Sequence, residues 1–387
     1  MLDAINRIPN MIKKFKEIGC TSWCLTDHNT CSGIIDAYKQ SKKAGLKFIP
    51  GAELYYTSDL TIKQRDLRHI TFWAKDNQGL ENLYKMTSEA HGDNGKSPDN
   101  FYYKSRIDLD LIRKYREGLM VGTACLGGWL RSGEEINEEL LKEFIAIFGK
   151  DDIFLEVHTY QCDEQYLYNR QLIELSKKYD LKLITATDAH FTNKEDSELR
   201  RLFKNTSKEQ DASENVDDTL YLQTENEIRV NLCYLPEDIV EQAMKNTELL
   251  AEKSNVSIEF GGKHYPAFPC DDPIEELKRQ CRKGWKDKGI SSYPNAKEYA
   301  DRLNKVEMPI IKAQGYAPYF LITSDLYDFG RSKGFPSSPG RGSAVASLML
   351  WLMGVTQLDP LKYDCVFERF AHMERISPPD KNLCRAS

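Results

Sequence analysis

The first 190 residues alternate between short segments typical of buried strands and longer segments with helical periodicity, and few folds accommodate this pattern. Helical periodicity covers residues 5–18, 33–44, 138–147 and 164–179. Strands that are joined through helices pair in parallel through crossovers, so this part is expected to form an α/β layer or barrel. Six strands are predicted, at residues 21–26, 46–50, 68–74, 119–122, 153–157 and 181–186.

A mostly helical region follows a break that is rich in glycine and proline. Residues 261–269 contain two glycines and two prolines. Helical periodicity then covers residues 273–286, 296–314, 319–333 and 343–353. Few contacts usually cross a linker of this composition. We therefore predict two domains, residues 1–262 and 263–387.

Composition restricts the functional classes. Hydrophobic residues make up 41% of the 387 residues, enough for a sizeable core. The net charge of −6 argues against DNA binding by the whole surface, but it is compatible with a local basic face. The ten cysteines form no Cys-x-x-Cys pair, and no apolar run approaches the length of a membrane span or a signal peptide core. We expect a cytoplasmic protein in a reducing compartment, with no membrane partner.

Side chains that bind metals recur at the ends of the predicted strands. Because such ends converge at one edge of a barrel, these side chains are expected to meet. Histidine and carboxylate groups together suit Zn²⁺, Mn²⁺ or Fe, and a cluster of such ions activates water against a phosphoester. The alternative is that each of them is an ordinary capping or hydrogen-bonded residue. The candidates are Asp27, His28, Glu53, His69, Cys125, His158, Asp188 and His190.

A glycine-rich segment, Gly340-Arg341-Gly342-Ser343, precedes an apolar helical run. Unpaired backbone N–H groups at the start of a helix form a site for an anion, particularly a phosphate. The alternative is a glycine-rich turn in which serine caps the helix. By contrast, Asp108 and Asp110, which have the spacing of a metal-binding pair, are expected to mark a helix N-terminus.

Several longer motifs resemble, in order, a known family. The later ones resemble the palm of the C-family (bacterial) DNA polymerase III alpha subunit, and the earlier ones resemble the PHP domain at the N-terminus of that protein. The palm-like motifs lie at residues 319–322, 338–346, 358–370 and 374–380. The PHP-like motifs lie at residues 26–28, 51–53, 101–108, 125–128 and 187–190.

The resemblance implies a fold and a function. The fold would be α/β, a PHP-type distorted (β/α)7 barrel lacking its first strand, followed by a mostly helical partial Pol β-like palm. The eight candidates above would form a trinuclear Zn²⁺ or Mn²⁺ site. His69 has the least secure alignment with the family motif, because residues 57–67 form an insertion just before it. Arg341, Gly342 and Ser343 would hold the triphosphate of the incoming dNTP, and Mg²⁺ would serve polymerisation. The implied partners are primer-template DNA, the sliding clamp, the clamp loader and an exonuclease subunit.

The chain departs from the family pattern at both ends. Met1-Leu2-Asp3-Ala4 resembles the residues that follow the family's first His-x-His strand, so that strand and its ligands are expected to be absent and the metal site weak. Asp380 matches only the first position of the family's aspartate motif. No catalytic residue is therefore assigned, and this chain alone is expected not to extend a primer.

Two alternatives remain beside a fragment of a replicative DNA polymerase, of bacterial or phage origin. The first is a stand-alone PHP phosphoesterase, which explains the first 190 residues but not the Gly-Arg-Gly-Ser segment. The second is a non-catalytic half of a split polymerase that acts with a second fragment.

Overall fold

The computed structural model describes residues 4–65, 67–92, 100–205, 219–261 and 266–374. The chain forms two compact units, Met1–Glu259 and Phe260–Ser387, and each is described by itself. Several residues discussed above lie outside the described ranges, so their roles stay predictions: Met1, Leu2, Asp3, residues 262–265 of the predicted boundary, and Asp380.

The first unit is built on a curled half-barrel sheet with the strand order β1-β2-β3-β6-β9-β10. All six predicted strands are confirmed, whereas the short hairpins β4–β5 and β7–β8 were not predicted. The strands are β1 (Ser22–Leu25), β2 (Lys47–Tyr56), β3 (Arg68–Ala74), β4 (Phe101–Tyr102), β5 (Lys104–Ser105), β6 (Leu119–Gly122), β7 (Arg131–Ser132), β8 (Glu135–Ile136), β9 (Ile153–His158) and β10 (Lys182–Ala186).

One strand of the sheet runs against the others. β1 is parallel to β2, and β6, β9 and β10 are parallel to one another, but β3 is antiparallel to both β2 and β6. The all-parallel prediction was therefore wrong for β3. The described part of the link between β2 and β3 contains no helix, and a parallel pair needs a crossover of a dozen residues or more. As a result, the first residues of β3 lie at the edge where the neighbouring strands end.

The sheet is open between its outermost strands. Among the described residues, β1 and β10 each pair with one neighbour only. A cavity of about 930 Å³ lies beside these two edges, and its lining includes Met11, Cys24, Ile184 and Leu250. Asp27, His28, Asp188 and His190 line the same cavity. The open sheet agrees with the predicted barrel that lacks a strand.

Helices cover the sheet and bury its apolar side chains. Asp108 caps α4 by accepting a hydrogen bond from Leu111 N, as the sequence predicted. The helices are α1 (Ile8–Glu17), α2 (Ile34–Ala44), α3 (Asn77–Ala90), α4 (Leu109–Tyr115), α5 (Glu138–Phe148), α6 (Asp163–Tyr179), α7 (Ser197–Asn205), α8 (Glu225–Asn231) and α9 (Glu237–Lys253).

The second unit is mostly helical, as predicted, but two of its helices differ from expectation. The helix predicted at residues 296–314 is interrupted by a π-helical turn, Arg302–Glu307. The helix predicted from residue 343 begins only at Leu348, after a 3-10 turn over Gly342–Ala346. The α-helices are α10 (Pro273–Asp287), α11 (Ala296–Asp301), α12 (Met308–Ala313), α13 (Ala317–Ser332) and α14 (Leu348–Leu352).

The core of the second unit forms where α10 meets α13 and α14. Leu277 and Phe320 are fully buried there. Across the described ranges of both units, no helix has the length and apolar composition that crossing a membrane requires.

Candidate metal centre and anion-binding loop

Three of the predicted metal ligands meet at one edge of the sheet. Glu53 Oε1 lies 2.5 Å from His69 Nδ1 and 3.5 Å from His28 Nδ1. One potential ligand atom from each of the three residues lies within 4.8 Å of the other two. The antiparallel direction of β3 places His69 beside Glu53. The sequence had placed Glu53 after its strand, but β2 continues to Tyr56 and Glu53 lies inside it.

Cys125 adjoins this cluster. Its Sγ atom is 3.5 Å from His69 Nδ1. Burial raises the pKa of the Cys125 thiol well above its usual value, and the carboxylates of Glu53 and Asp188 raise it further. The thiol is therefore neutral in the metal-free protein. A bound cation would reverse this preference, because a coordinating thiol loses its proton.

His158, Asp188 and His190 form a second group beside the first. The rings of His28 and His190 have centroids 6.2 Å apart. Burial alone would raise the pKa of Asp188, but the imidazoles of His190 and His158 outweigh it and lower that pKa. Tyr160 OH donates a hydrogen bond to Asp188 Oδ2. This carboxylate is therefore ionised and oriented.

Asp27 stands slightly apart from both groups. Its backbone carbonyl accepts a hydrogen bond from Glu53 N at 3.1 Å. Burial raises the pKa of the Asp27 carboxyl, and the neighbouring His28 opposes the rise. The structure thus brings His28, Glu53 and His69 into one cluster, with the other five candidates around it.

Sequence reasoning missed Glu156. This residue lies on β9, two positions before His158, so both side chains point to the same face. Its Oε1 accepts hydrogen bonds from Ala124 N at 2.8 Å and from Thr71 Oγ1, and its Oε2 lies 3.9 Å from His158 Nε2. Burial raises the pKa of Glu156 to about 7. The alternation Glu156-x-His158-x-Tyr160 at the end of a strand was the signal that could have revealed it.

Three residues around these groups have strained backbones. Asn29, Ala124 and Asp188 have φ angles of 55°, 55° and 43°, in the left-handed region that residues with side chains seldom occupy. The side chain of Asn29 donates to Ser105 O and accepts from Tyr55 N, which holds its turn in place. Strain of this kind persists only where surrounding contacts enforce it, and it concentrates at functional sites.

The residues present fit a divalent transition-metal ion. Imidazole nitrogens, carboxylate oxygens and one thiol are the donors that Zn²⁺ and Mn²⁺ accept. His158 Nε2 lies 3.1 Å from Ala124 O, while His158 Nδ1 is buried without a hydrogen-bond partner in the described part of the chain. Burying a nitrogen without a hydrogen-bond partner costs free energy, and coordination of a metal ion by His158 Nδ1 would offset that cost.

The glycine-rich segment of the second unit is a loop that leads into a 3-10 turn, Gly342–Ala346, rather than directly into an α-helix. Gly340 and Gly342 have φ angles of 139° and 62°, and a Cβ on Gly340 would lie 2.6 Å from the Val345 side chain. Arg341 is exposed between the two glycines. The segment was expected to lead directly into an α-helix, but Arg341 precedes a 3-10 turn, Gly342–Ala346, and α14 begins only after Ser347.

The N–H groups at the start of α14 have no acceptor within the helix, and two of them donate to the carboxylate of Glu307 in the same unit. Leu348 N and Met349 N donate to Glu307 at 2.8 and 3.1 Å. Any anion-binding role of the loop therefore depends on the Arg341 side chain and on the backbone of Gly342 and Ser343.

Comparisons with known proteins match both units. Residues 1–160 match the family model described as the PHP domain. Residues 275–383 match the model described as the bacterial DNA polymerase III alpha NTPase domain. The chain thus combines a PHP domain with a segment of the bacterial DNA polymerase III alpha type.

Nearly the whole chain is similar to curated DNA polymerase III alpha subunits. It is 34% identical to that of Aquifex aeolicus and 32% identical to that of Borreliella burgdorferi, over 98% and 99% of this chain. The chain belongs to the family of bacterial DNA polymerase III alpha subunits. It spans about a third of the length of these relatives, 34% in both cases. A solved amidohydrolase from Chromobacterium violaceum is 15% identical, with a TM-score of 0.34, over 49% of this chain and 84% of its own.

Proposed function

We propose that this chain carries two phosphate-handling centres of a replicative DNA polymerase, a metal centre on the half-barrel and a loop for the dNTP triphosphate. The observation that carries the proposal is the meeting of His28, Glu53 and His69 in a chain whose other unit matches a polymerase segment. The complete polymerase would extend a primer on template DNA with dNTPs and Mg²⁺ by two-metal nucleotidyl transfer. The clamp, clamp loader and exonuclease belong to the same proposal.

The residues of the metal centre have distinct roles in this proposal. Glu53, held between the two imidazoles, would be the central ligand, with Cys125 and Asp188 as neighbouring donors. Tyr160 would keep the Asp188 carboxylate in one orientation through its hydrogen bond. A divalent ion bound there would supply an acidic water and polarise a phosphoester.

Metal titration tests the first centre. We expect chelator-treated protein to bind Zn²⁺ or Mn²⁺ in calorimetry, short of the full set that the resemblance implies. Removing the central donor with Glu53→Gln should weaken binding by roughly tenfold to a hundredfold, at least the effect of losing an outer-shell partner. Glu174→Gln, at an exposed carboxylate on α6, is the control. Equal binding by both variants would reject the site.

Triphosphate binding tests the second centre. Arg341 is suited to the role because a guanidinium bonds two phosphate oxygens at once. Arg341→Ala should weaken the binding of dATP with Mg²⁺ about tenfold or more, the effect of losing a charged hydrogen bond. Arg282→Ala, at an exposed arginine on α10, is the matched control. An unchanged affinity in Arg341→Ala would remove Arg341 from the site.

A metal-dependent phosphoesterase activity of the first unit is the second candidate. The strained turns at Asn29, Ala124 and Asp188 around the metal-binding groups favour it. Hydrolysis of bis-p-nitrophenyl phosphate with added Mn²⁺ is the test. We expect at most weak activity that Glu53→Gln abolishes, and activity that survives this variant would have another origin.

A further inference from the structure

The second unit contains a buried carboxylate that binds the segment following the glycine-rich loop. Glu307 is fully buried. Its carboxylate accepts hydrogen bonds from Ser347 Oγ at 2.9 Å, from Leu348 N at 2.8 Å and from Met349 N at 3.1 Å. These donors lie four to six residues after Ser343 and about 40 residues from Glu307 in sequence. The carboxylate therefore fixes one end of the loop through tertiary contacts.

Arg302 extends the same attachment. Its Nε lies 3.1 Å from Glu307 Oε1, and its Nη2 donates to Ala346 O and to Cys365 O at 3.0 Å each. The π-helical turn makes this possible, since its i to i+5 pattern brings Arg302 and Glu307 together. In a regular α-helix, with 3.6 residues per turn, residues five apart point in different directions.

The other end of the loop is held separately. Gln357 N donates a hydrogen bond to Pro339 O at 2.7 Å. The residues between these two attachments include Arg341, Gly342 and Ser343, and Arg341 is exposed between them. The loop is therefore fixed at both ends while its cationic residue faces solvent.

We infer that Arg302 and Glu307 are positioning residues that hold the Arg341–Ser343 loop in the conformation that binds a nucleoside triphosphate. This inference rests on the proposed function of the loop. A contribution to folding stability does not by itself explain the Arg302–Glu307 pair, because apolar residues of similar volume can often replace a buried ion pair without loss of stability. What the pair adds is a fixed path for residues 346–349 immediately after the loop.

The test compares triphosphate affinity at matched stability in the full chain. Glu307→Gln keeps the volume but points an amide N–H₂ group at donors that need an acceptor. Ile290→Ala is the control, because it opens a cavity in the same core at a turn that packs on α10 and α11. Binding of dATP with Mg²⁺ is measured well below both unfolding temperatures, and hydrogen exchange is measured over residues 340–350. Ser347→Ala provides a milder variant if Glu307→Gln does not fold.

We expect Glu307→Gln to weaken dATP binding about tenfold or more, while Ile290→Ala stays within about twofold of the wild type. Exchange over residues 340–350 should accelerate in Glu307→Gln alone, and Ser347→Ala should show a smaller loss of affinity. Wild-type affinity in Glu307→Gln, or an equal loss in both variants, would overturn the positioning role and leave the phosphate site standing. A wild-type chain that binds no dATP would overturn the phosphate site itself, and the inference with it.

Discussion

Gly122 is the residue at which the fold and the metal centre are most directly coupled. It ends β6, directly beneath the Glu156 carboxylate. A Cβ at this position would lie 2.1 Å from Glu156 Oε1, 2.3 Å from Thr71 Oγ1 and 2.5 Å from the Trp73 ring. Real Cβ contacts essentially never come so close. Gly122→Ala should therefore displace the carboxylate from its donors.

The expected loss in the free energy of unfolding follows from the displacement of the Glu156 side chain. Overpacking a well-filled core typically costs about 1–3 kcal/mol. Moving Glu156 away from Ala124 N and Thr71 Oγ1 breaks two hydrogen bonds of a buried group, at roughly 1–3 kcal/mol each. We expect Gly122→Ala to lower the free energy of unfolding of the first unit by about 4 kcal/mol. For a unit of this size that corresponds to a fall of roughly 10 °C in Tm.

Differential scanning calorimetry measures this change, and a second glycine provides the control. At Gly127 a Cβ would meet nothing closer than the His69 ring at 3.7 Å. Gly127→Ala should therefore stay within about 0.5 kcal/mol of the wild type. If Gly122→Ala melts together with Gly127→Ala, the close packing of Glu156 against β6 is wrong.

Three further predictions concern other parts of the chain. Burial raises the pKa of Cys281 to about 12, so its alkylation by iodoacetamide should be slow at pH 8; mass spectrometry showing Cys281 as reactive at pH 8 as the exposed Cys233 would contradict this. Gly284→Ala should destabilise the second unit by about 3 kcal/mol, because a Cβ would lie 1.9 Å from Leu352 O; helix propensity alone favours alanine, so a raised Tm would refute the close helix contact. Asp272→Ala removes the N-cap of α10 and should cost about 1 kcal/mol in urea unfolding, and an unchanged midpoint would exclude the cap.

Much of the first unit could be predicted because its signals are local. The six strands are short apolar runs, and the helix predicted at residues 33–44 is observed as α2, Ile34–Ala44. The direction of β3 was missed, although the signal was available: the sequence between β2 and β3 contains no helical pattern. With β3 predicted to be parallel, there was no explanation for His69, at the start of its strand, lying next to Glu53.

The remaining features depend on residues far apart in sequence. Glu307 lies within the helix that the sequence predicts at residues 296–314, and its partner Ser347 is 40 residues away. No periodic pattern indicates that a carboxylate will be buried there. Nor does the sequence show that Glu307 would accept hydrogen bonds from the start of α14, a few residues after the segment at which an anion had been expected. Local patterns thus predict elements well, and buried polar contacts between elements poorly.

The outer edges of β1 and β10, which pair with no further strand within the described ranges, have a consequence for the behaviour of the chain in solution. On β10, Leu183 O already accepts a hydrogen bond from Asn246 Nδ2. Backbone donors and acceptors that remain at a strand edge allow a strand from another molecule to pair. Ser22–Leu25 is short, which limits the length of such a pairing, but the cavity beside it leaves room for an approaching strand. Two copies that meet at these edges would extend one sheet across both molecules. Pairing of this kind would make the association of the chain depend on its concentration.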